Sequence, residues 1–160
     1  MRRLRFLSDA LLSRRRALTL LGVALCGREV LHVGLARADE PRPFRVIVHP
    51  SNPLKAAERA FVANAFLKKV TRWSEGEVIR AVDLRADNGA RRRFTEEVLK
   101  RSVGAVRSYW QQRIFSGRDV PPPELESDES VVAFVAKYPA AVGYVSGAAK
   151  LVGVRELAIH

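Results

Sequence analysis

The sequence is poor in the residues on which most catalytic and structural sites depend. Its 160 residues include one cysteine, Cys26, and three histidines. A single cysteine excludes a disulfide scaffold. The apolar stretch at residues 17–26 has ten residues, too few for a membrane-spanning helix, which needs about 20. Motifs for nucleotide binding, zinc proteolysis and serine hydrolysis are also missing. The sequence therefore predicts neither an enzyme nor a metal site, and no cofactor is expected.

The positive charge is concentrated near the beginning of the chain. The sequence has 28 Lys+Arg and 17 Asp+Glu, for a formal net charge of +11. Residues 1–38 hold eight arginines and two acidic residues, a net of +6. The remaining residues, 39–160, are only mildly basic. Since nucleic-acid binding depends on basic residues clustered in the folded domain, this distribution argues against a nucleic-acid partner.

Residues 1–38 have the features of an N-terminal export signal. The arginines at 14–16 precede the apolar stretch and Ala36-Arg37-Ala38 follows it, as in a secretory signal with an A-x-A cleavage site. The arginine cluster is also typical of the twin-arginine signal. Twin-arginine export, Sec export, a lipoprotein signal at Cys26 and an uncleaved anchor all remain open. We expect cleavage near Asp39 and a mature chain, without a transmembrane span, that is located in the periplasm or otherwise exported.

Residues 39–160 alternate predicted strands and helices and form one domain. The helices are expected to begin at caps, Asp87 or Asn88 for the second helix and Ser127 or Asp128 for the fourth. This alternation predicts an α/β fold, a central β-sheet with helices on both faces. The predicted strands are residues 44–49, 77–84, 141–145 and 154–159, and the predicted helices are residues 54–73, 94–100, 103–114 and 128–138.

The segment between the second strand and the second helix has the composition of an anion site. A helix N-terminus carries free backbone N–H groups and the positive end of the helix dipole. Gly89 allows a ligand to approach the backbone, and Arg85 and Arg91 offer guanidinium groups to oxyanion oxygens. The sequence therefore predicts an anion site at residues 85–91. The alternative is a capped helix with a solvated arginine face.

Five short phrases, in order, resemble the phosphate-type solute-binding proteins of ABC transporters, which have the type II periplasmic binding fold. In that family they read roughly vvnpsNp, iFlGkitrW, R-x-D-G-S-G-T, FtG and aIGYvs. Here they are VIVHPSNP (46–53), AFLKKVTRW (65–73), RADNGARRRF (85–94), FSG (115–117) and VGYVS (142–146). The resemblance, together with the anion-site argument, assigns eight residues to ligand binding: Ser51, Asn52, Arg85, Asp87, Asn88, Gly89, Ala90 and Arg91.

The sequence departs from the family pattern in two ways. Family members have two lobes and about twice this length, whereas here an export signal precedes the first phrase, so the chain resembles a single lobe. The family's Ser-Gly-Thr is replaced by Gly89-Ala90-Arg91, which removes both ligand hydroxyls. One lobe would also leave an anion half in water, so we expect millimolar or weaker affinity for phosphate.

The resemblance implies an exported single-lobe protein that binds phosphate or a related oxyanion and is accessory to ABC-type uptake or sensing. Its expected partners are the oxyanion and either a transporter component or a second lobe or protomer. The alternative function is an envelope protein-interaction module that uses the same lobe without a small-molecule ligand.

Overall fold

The computed structural model describes residues 43–160, and the predicted export signal at residues 1–38 lies outside them. Strands and helices alternate along the described residues, as the sequence predicts. The strands are β1 (Phe44–Val48), β2 (Ala56–Ala57), β3 (Arg80–Ala81), β4 (Asp83–Leu84), β5 (Glu124–Leu125), β6 (Ala141–Ser146), β7 (Arg155–Glu156) and β8 (Ala158–Ile159). The helices are α1 (Arg59–Phe66), α2 (Gly89–Glu97), α3 (Val103–Phe115) and α4 (Asp128–Lys137).

The central sheet has four strands in the order β3-β6-β1-β7. Strand β6 is antiparallel to β1, with Val48 opposite Val142 and Phe44 opposite Ser146. Strand β3 is parallel to β6, and β7 is antiparallel to β1. Two short parallel pairs, β2 with β8 and β4 with β5, lie beside this sheet. Because β1 and β3 run in opposite directions, the chain leaves these two strands at opposite ends of the sheet.

One face of the sheet is covered by α4. A glycine, Gly143, lies at the point of closest approach, because a Cβ there would come within 2.6 Å of Val131 Cγ1 and 2.9 Å of Val82 Cγ1. Ala141 to Val145 of β6 are all buried. The absence of a side chain at Gly143 is therefore what allows the helix to approach the strand so closely.

The opposite face of the sheet carries a cluster of aromatic rings. The ring of Phe94 from α2 stacks on the ring of Tyr144 from β6, with centroids 3.9 Å apart and an interplanar angle of 7°. Phe66 from α1 and Phe44 from β1 lie against Phe94 at centroid distances of 4.7 and 5.6 Å. Burial of each such side chain stabilises the fold by about 1.5–3 kcal/mol before entropy is counted. Helices thus cover both faces, which confirms the predicted fold class.

Four predicted elements differ from expectation. The strand expected over residues 154–159 is divided into β7 and β8, and the helix expected over residues 94–100 is α2, which covers residues 89–97. The helix expected over residues 54–73 is only α1, and residues 56–57 form β2 instead. Lys68 follows it with a φ of 51°, a left-handed conformation that a right-handed helix cannot contain. The strand expected over residues 77–84 is divided into β3 and β4.

A short hairpin replaces the last part of the predicted first helix. Arg72 pairs with Val78 in an isolated antiparallel bridge, and Gly76 in the turn has a φ of 91°, which suits glycine. Trp73 is nevertheless buried, as expected of a core residue, and its Nε1 donates a hydrogen bond of 3.0 Å to the carbonyl oxygen of Ala140.

The structure settles which residues cap the second and fourth helices. Asn88 Oδ1 accepts a 2.8 Å hydrogen bond from the backbone N–H of Ala90, so α2 begins at residue 89. Ser127 Oγ accepts a 3.2 Å hydrogen bond from the backbone N–H of Ser130. Both caps satisfy N–H groups that have no partner within the helix.

Candidate anion site

The turn between β4 and α2 lies at the surface, where the sequence predicts an anion site. Arg85, Asp87 and Gly89 are exposed. The backbone N–H of Asn88 donates a 3.0 Å hydrogen bond to the carbonyl oxygen of Arg85, which closes the turn. A Cβ built at Gly89 has no atom within 4 Å. A ligand can therefore approach the backbone at the beginning of α2.

The beginning of α2 offers hydrogen-bond donors without acidic residues of its own. The first turn of α2 holds no acidic side chain, and one of its N–H groups, that of Ala90, is already capped by Asn88. The other N–H groups of a first turn have no acceptor within the helix, and the helix dipole adds a partial positive charge there. The local chemistry is that of a weak oxyanion site.

Arg85 is an exposed cation in this turn, and its ion pairs are long. Its Nε lies 3.6 Å from Asp87 Oδ1, and its Nη1 lies 3.9 Å from Glu126 Oε1. All three side chains are more than half exposed. Such pairs contribute between about 0 and 1 kcal/mol, so Arg85 can exchange these partners for a ligand at little cost.

Arg91 is placed differently from Arg85, because its side chain is buried. Its Nη1 donates a 2.9 Å hydrogen bond to the carbonyl oxygen of Leu84 and forms an ion pair with Asp83. Its Nη2 lies 3.7 Å from Oε1 of the half-exposed Glu124. The guanidinium therefore has its partners inside the lobe, where Asp83 and Glu124 balance its charge, and it does not lie at the surface of the turn.

Asp83, which accepts the Arg91 ion pair, is the centre of a buried polar network. Its Oδ1 accepts hydrogen bonds from the Tyr144 hydroxyl and, at 3.0 Å, from the backbone N–H of Leu84. Burial raises the pKa of Asp83 to about 6, although the charge of Arg91 and the Tyr144 hydrogen bond act to lower it. Burial and the nearby carboxylate also raise the pKa of Tyr144. Sequence reasoning did not include Asp83, but an acidic residue in an apolar strand requires a buried partner.

The structure does not bring Ser51 and Asn52 to this turn. Ser51 and Asn52 follow β1, which ends at Val48, opposite Val142 near the beginning of β6. Strand β3 runs parallel to β6, so the turn that follows β3 and β4 lies at the other end of the sheet, where β6 finishes. At about 3.3 Å per residue, the two ends are roughly 10 Å or more apart along the strands.

Ser51 and Asn52 have partners in their own loop. Ser51 Oγ lies 2.7 Å from His49 Nδ1. Asn52 is buried, and its Oδ1 accepts a 3.0 Å hydrogen bond from the backbone N–H of Leu54. Its carbonyl oxygen accepts a 2.8 Å hydrogen bond from Arg155 Nη2. These contacts shape the loop after β1.

A cavity of about 250 Å³ adjoins the turn. Its walls come from the β4–α2 region, from α3 and from the proline-rich loop before β5. Asp83, Arg91, Arg107 and Glu124 supply charge, and the other side chains of α3 are mostly apolar. The lining residues are Asp83, Ala86, Arg91, Val103, Val106, Arg107, Trp110, Gln111, Ile114, Pro121, Pro122 and Glu124.

Comparison by sequence finds no matching family model and no matching curated protein. Comparison by structure finds clear neighbours. An ABC-type phosphate transport receptor from Vibrio cholerae superposes with a TM-score of 0.55 at 18% identity, over 73% of this chain and 46% of that one. PstS from Borrelia burgdorferi gives 0.54 at 10% identity, over 74% and 47%. The described residues therefore share the fold of part of these receptors.

A further neighbour supports the same assignment of the fold. It is a structure from Clostridium perfringens, described as a phosphate ABC transporter substrate-binding protein with bound phosphate, with a TM-score of 0.56 and 20% identity. It is matched over 73% of this chain and 44% of its own length. The chain thus spans less than half the length of these structures, which fits a single lobe of the periplasmic binding fold.

One residue with a left-handed backbone, Lys68, lies in the phrase that resembles iFlGkitrW. The family phrase iFlGkitrW has its glycine where this chain has Lys68, whose φ is 51°. Lys68 Nζ donates a 2.9 Å hydrogen bond to Asp119 Oδ1, and this bond lowers the pKa of Asp119. The ion pair offsets part of the backbone strain that glycine would avoid.

The lobe shows no metal cluster and no membrane span among residues 43–160. No three histidine, cysteine or acidic side chains come together there in a group that could hold a metal ion. None of the helices in this range combines the length and apolar character needed to cross a membrane.

Proposed function

We propose that this chain is an exported, single-lobe solute-binding protein that binds phosphate or a related oxyanion at the turn of residues 85–91. On this proposal it is not an enzyme, and it serves ABC-type uptake or sensing in the periplasm or another exported location. The observation that carries the proposal is the exposed beginning of α2 beside Arg85, in a fold shared with phosphate receptors.

The oxyanion would bind through backbone N–H groups of the first turn of α2, close to Gly89. Arg85 would turn from Asp87 and Glu126 to the ligand, because its present ion pairs are long and exposed. Asn88 caps the helix and so holds the N–H groups in place. Arg91 would act indirectly, by holding the beginning of α2 against β4.

The expected affinity is low. A hydrogen bond to a charged group contributes about 1.5–3 kcal/mol net, and association has its own cost in entropy and desolvation. Two acidic side chains, Asp87 and Glu126, lie beside the site, and one lobe leaves the ligand open to water. We therefore expect a Kd for free phosphate in the millimolar range or weaker, unless a transporter component or a second protomer covers the site.

Thermal denaturation of the full chain with inorganic phosphate tests the proposal. Ligand stabilisation follows RT ln(1 + [L]/Kd), so phosphate at about ten times a millimolar Kd adds about 1.4 kcal/mol. Sodium chloride at equal ionic strength is the reference, and sulfate and molybdate test the choice of oxyanion. Arg85→Ala should abolish the stabilisation. Lys150→Ala, which removes an exposed cation elsewhere, should retain it.

A persistent phosphate effect in Arg85→Ala would contradict the site. Chemical-shift changes measured by NMR would then show which amides respond. If phosphate has no effect beyond that of chloride on the unaltered chain, the oxyanion proposal fails.

The second candidate function is an envelope protein-interaction module that binds no solute. It is favoured by Phe115, which is 90% exposed at the end of α3, and by the inward placement of Arg91. This alternative expects no anion-dependent shift in melting temperature.

A further inference from the structure

The exposed apolar side chains of the described lobe are concentrated at one end of α3. Residues 43–160 expose five large hydrophobic side chains, and three of them, Ile114, Phe115 and Val120, lie within seven consecutive residues. Of the thirteen residues of α3, only Val106 and Trp110 are buried. Exposed apolar side chains that cluster in this way are typical of an interaction site.

The composition of α3 is that of a protein–protein interface. Its sequence, VGAVRSYWQQRIF, contains no lysine, aspartate or glutamate. Its charged residues are Arg107 and Arg113, and it carries one tyrosine, one tryptophan and one phenylalanine. Interfaces are enriched in aromatic residues and arginine and depleted of lysine and acidic residues. The pattern indicates a protein rather than solvent on this face.

The same helix carries both an exposed ring and the wall of a cavity. Phe115 is at its end, and Val103, Val106, Trp110 and Ile114 line the cavity of about 250 Å³, which is large enough for one aromatic side chain. Val103 and Phe115 are 12 residues apart, or about 18 Å along the axis. If two identical helices lie antiparallel and centred on Tyr109, Phe115 of one copy faces Val103 of the other.

We propose that two copies of this chain dimerise through antiparallel α3 helices, each inserting Phe115 into the cavity of the other. The arrangement is isologous, since the same ring and the same cavity are used twice, and it closes with two-fold symmetry. Phe115 is the central aromatic anchor of each half.

The charges around the cavity are self-complementary in this arrangement. Arg107 and Glu124 both line it. Arg107 is exposed, and the half-exposed Glu124 makes only a long contact of 3.7 Å with Arg91 of its own copy. A second copy brings its own Glu124 to Arg107 and its own Arg107 to Glu124. The dimer therefore gains two opposite-charge contacts without a like-charge clash between these groups.

The dimer would also cover the proposed anion site. Ala86 and Arg91 line the same cavity, so a second copy seated on it lies beside the turn of residues 85–91 and provides a facing wall. This consequence rests on the proposed function, whereas dimerisation itself does not.

Sedimentation velocity of the full chain over a range of concentrations, without added phosphate, tests the inference. We expect a reversible dimer whose Kd rises at least about thirtyfold in Phe115→Ser, as for the loss of an interface hot spot. Val152→Ser is the matched control, since Val152 is an apolar side chain 72% exposed outside α3 and its cavity. It should leave the Kd unchanged.

Charge exchange gives a second test of the same interface. Arg107→Glu and Glu124→Arg should each weaken the dimer, and the double variant should restore it. A chain that stays monomeric up to about 1 mM, or a dimer indifferent to Phe115→Ser, overturns the inference. So does a monomer that cosediments through Phe115 with vesicles of 70% phosphatidylcholine and 30% phosphatidylglycerol, since lipid would then be the occupant.

The two proposals can fail separately. A dimer that shows no phosphate stabilisation supports the interface and contradicts the oxyanion site. A monomer that is stabilised by phosphate through Arg85 supports the site and overturns the interface.

Discussion

Arg91 in the first turn of α2 and Asp83 in β4 form a buried ion pair, with side chains only 5% and 7% exposed. The pair spans the turn that precedes α2 and therefore fixes the beginning of the helix against the end of the strand. Arg91 also donates to the carbonyl oxygen of Leu84, which strengthens the same connection. Arg91, which stands where the resembled phrase has a threonine, therefore has a structural role in this chain.

Arg91→Thr should therefore destabilise the chain. Removing one member of a buried ion pair costs about 3–5 kcal/mol, because the other charge is left without compensation. Urea unfolding measures the loss, and the exposed neighbour Arg92→Thr, as control, should lose less than about 1 kcal/mol. Adding Asp83→Asn to Arg91→Thr should recover part of the stability. Equal losses at the two arginines would refute this account of the pair.

The pKa of Asp83 predicts a specific pH dependence of stability. Its value in the folded chain is about 6, raised by burial from 3.8. Between about pH 4 and 6 the folded state therefore holds a proton that the unfolded state has lost. The contribution of Asp83 is fully present below pH 4 and declines by up to about 3 kcal/mol as the pH rises through 6.

Asp83→Asn isolates this effect, because the amide oxygen still accepts from Tyr144 and from the backbone of Leu84. The difference in unfolding free energy between the original chain and this variant should favour the original chain most at pH 4, and should shrink towards pH 7. Urea titrations at several pH values give the difference. An increase with pH across this window would show that the pKa of Asp83 in the folded chain lies below its ordinary value of 3.8.

Gly89→Ser tests whether the turn can recover a family ligand hydroxyl. The Cβ meets no atom within 4 Å, so the substitution should be tolerated. One added hydrogen bond of about 0.5–1.5 kcal/mol should raise phosphate affinity about two- to tenfold. Gly89→Ala is the matched control, since it changes the backbone in the same way without a hydroxyl. If serine and alanine give the same affinity by calorimetry, no ligand lies near this residue.

The position of the turn could be predicted from the sequence, but the burial of the Arg91 side chain was not predicted. A strand, a glycine-containing segment and a helix were expected in this order, and Asn88 was one of the two expected caps, although the helix was placed at residues 94–100 and α2 covers residues 89–97. Yet Arg91 precedes Phe94 by three residues, which is the spacing of one helix face. Phe94 is fully buried, so the same spacing that predicts its burial also places Arg91 towards the core.

The predicted length of α1 was wrong because the helical spacing of apolar residues continues beyond the end of the helix. Val62 and Phe66 are buried on α1 and Trp73 is buried beyond it, as a continuous face would require. The backbone leaves the helix before Lys68, and Trp73 reaches the core from the hairpin. Periodicity reports which side chains are buried, whereas the conformation at Lys68 depends on its contact with Asp119, 51 residues away.

Gly143→Ala tests how closely α4 lies on the sheet. Its new Cβ would meet Val131 Cγ1 at 2.6 Å and Val82 Cγ1 at 2.9 Å, and branched valine side chains have little freedom to move away. Overpacking of this kind costs about 1–3 kcal/mol, measurable by urea unfolding. Gly104→Ala, whose nearest atom is 3.9 Å away, should instead stabilise the chain by up to about 1 kcal/mol.

Val131→Ala removes the atom that the new methyl group would meet. Alone it leaves a cavity and destabilises the chain, but combined with Gly143→Ala it should cost less than the sum of the two single changes, because the added methyl group occupies the space that the valine vacates. Additive losses would mean that α4 moves away from β6 to relieve the contact. The close approach would then be an adjustable feature of the lobe, and the glycine would not be required for it.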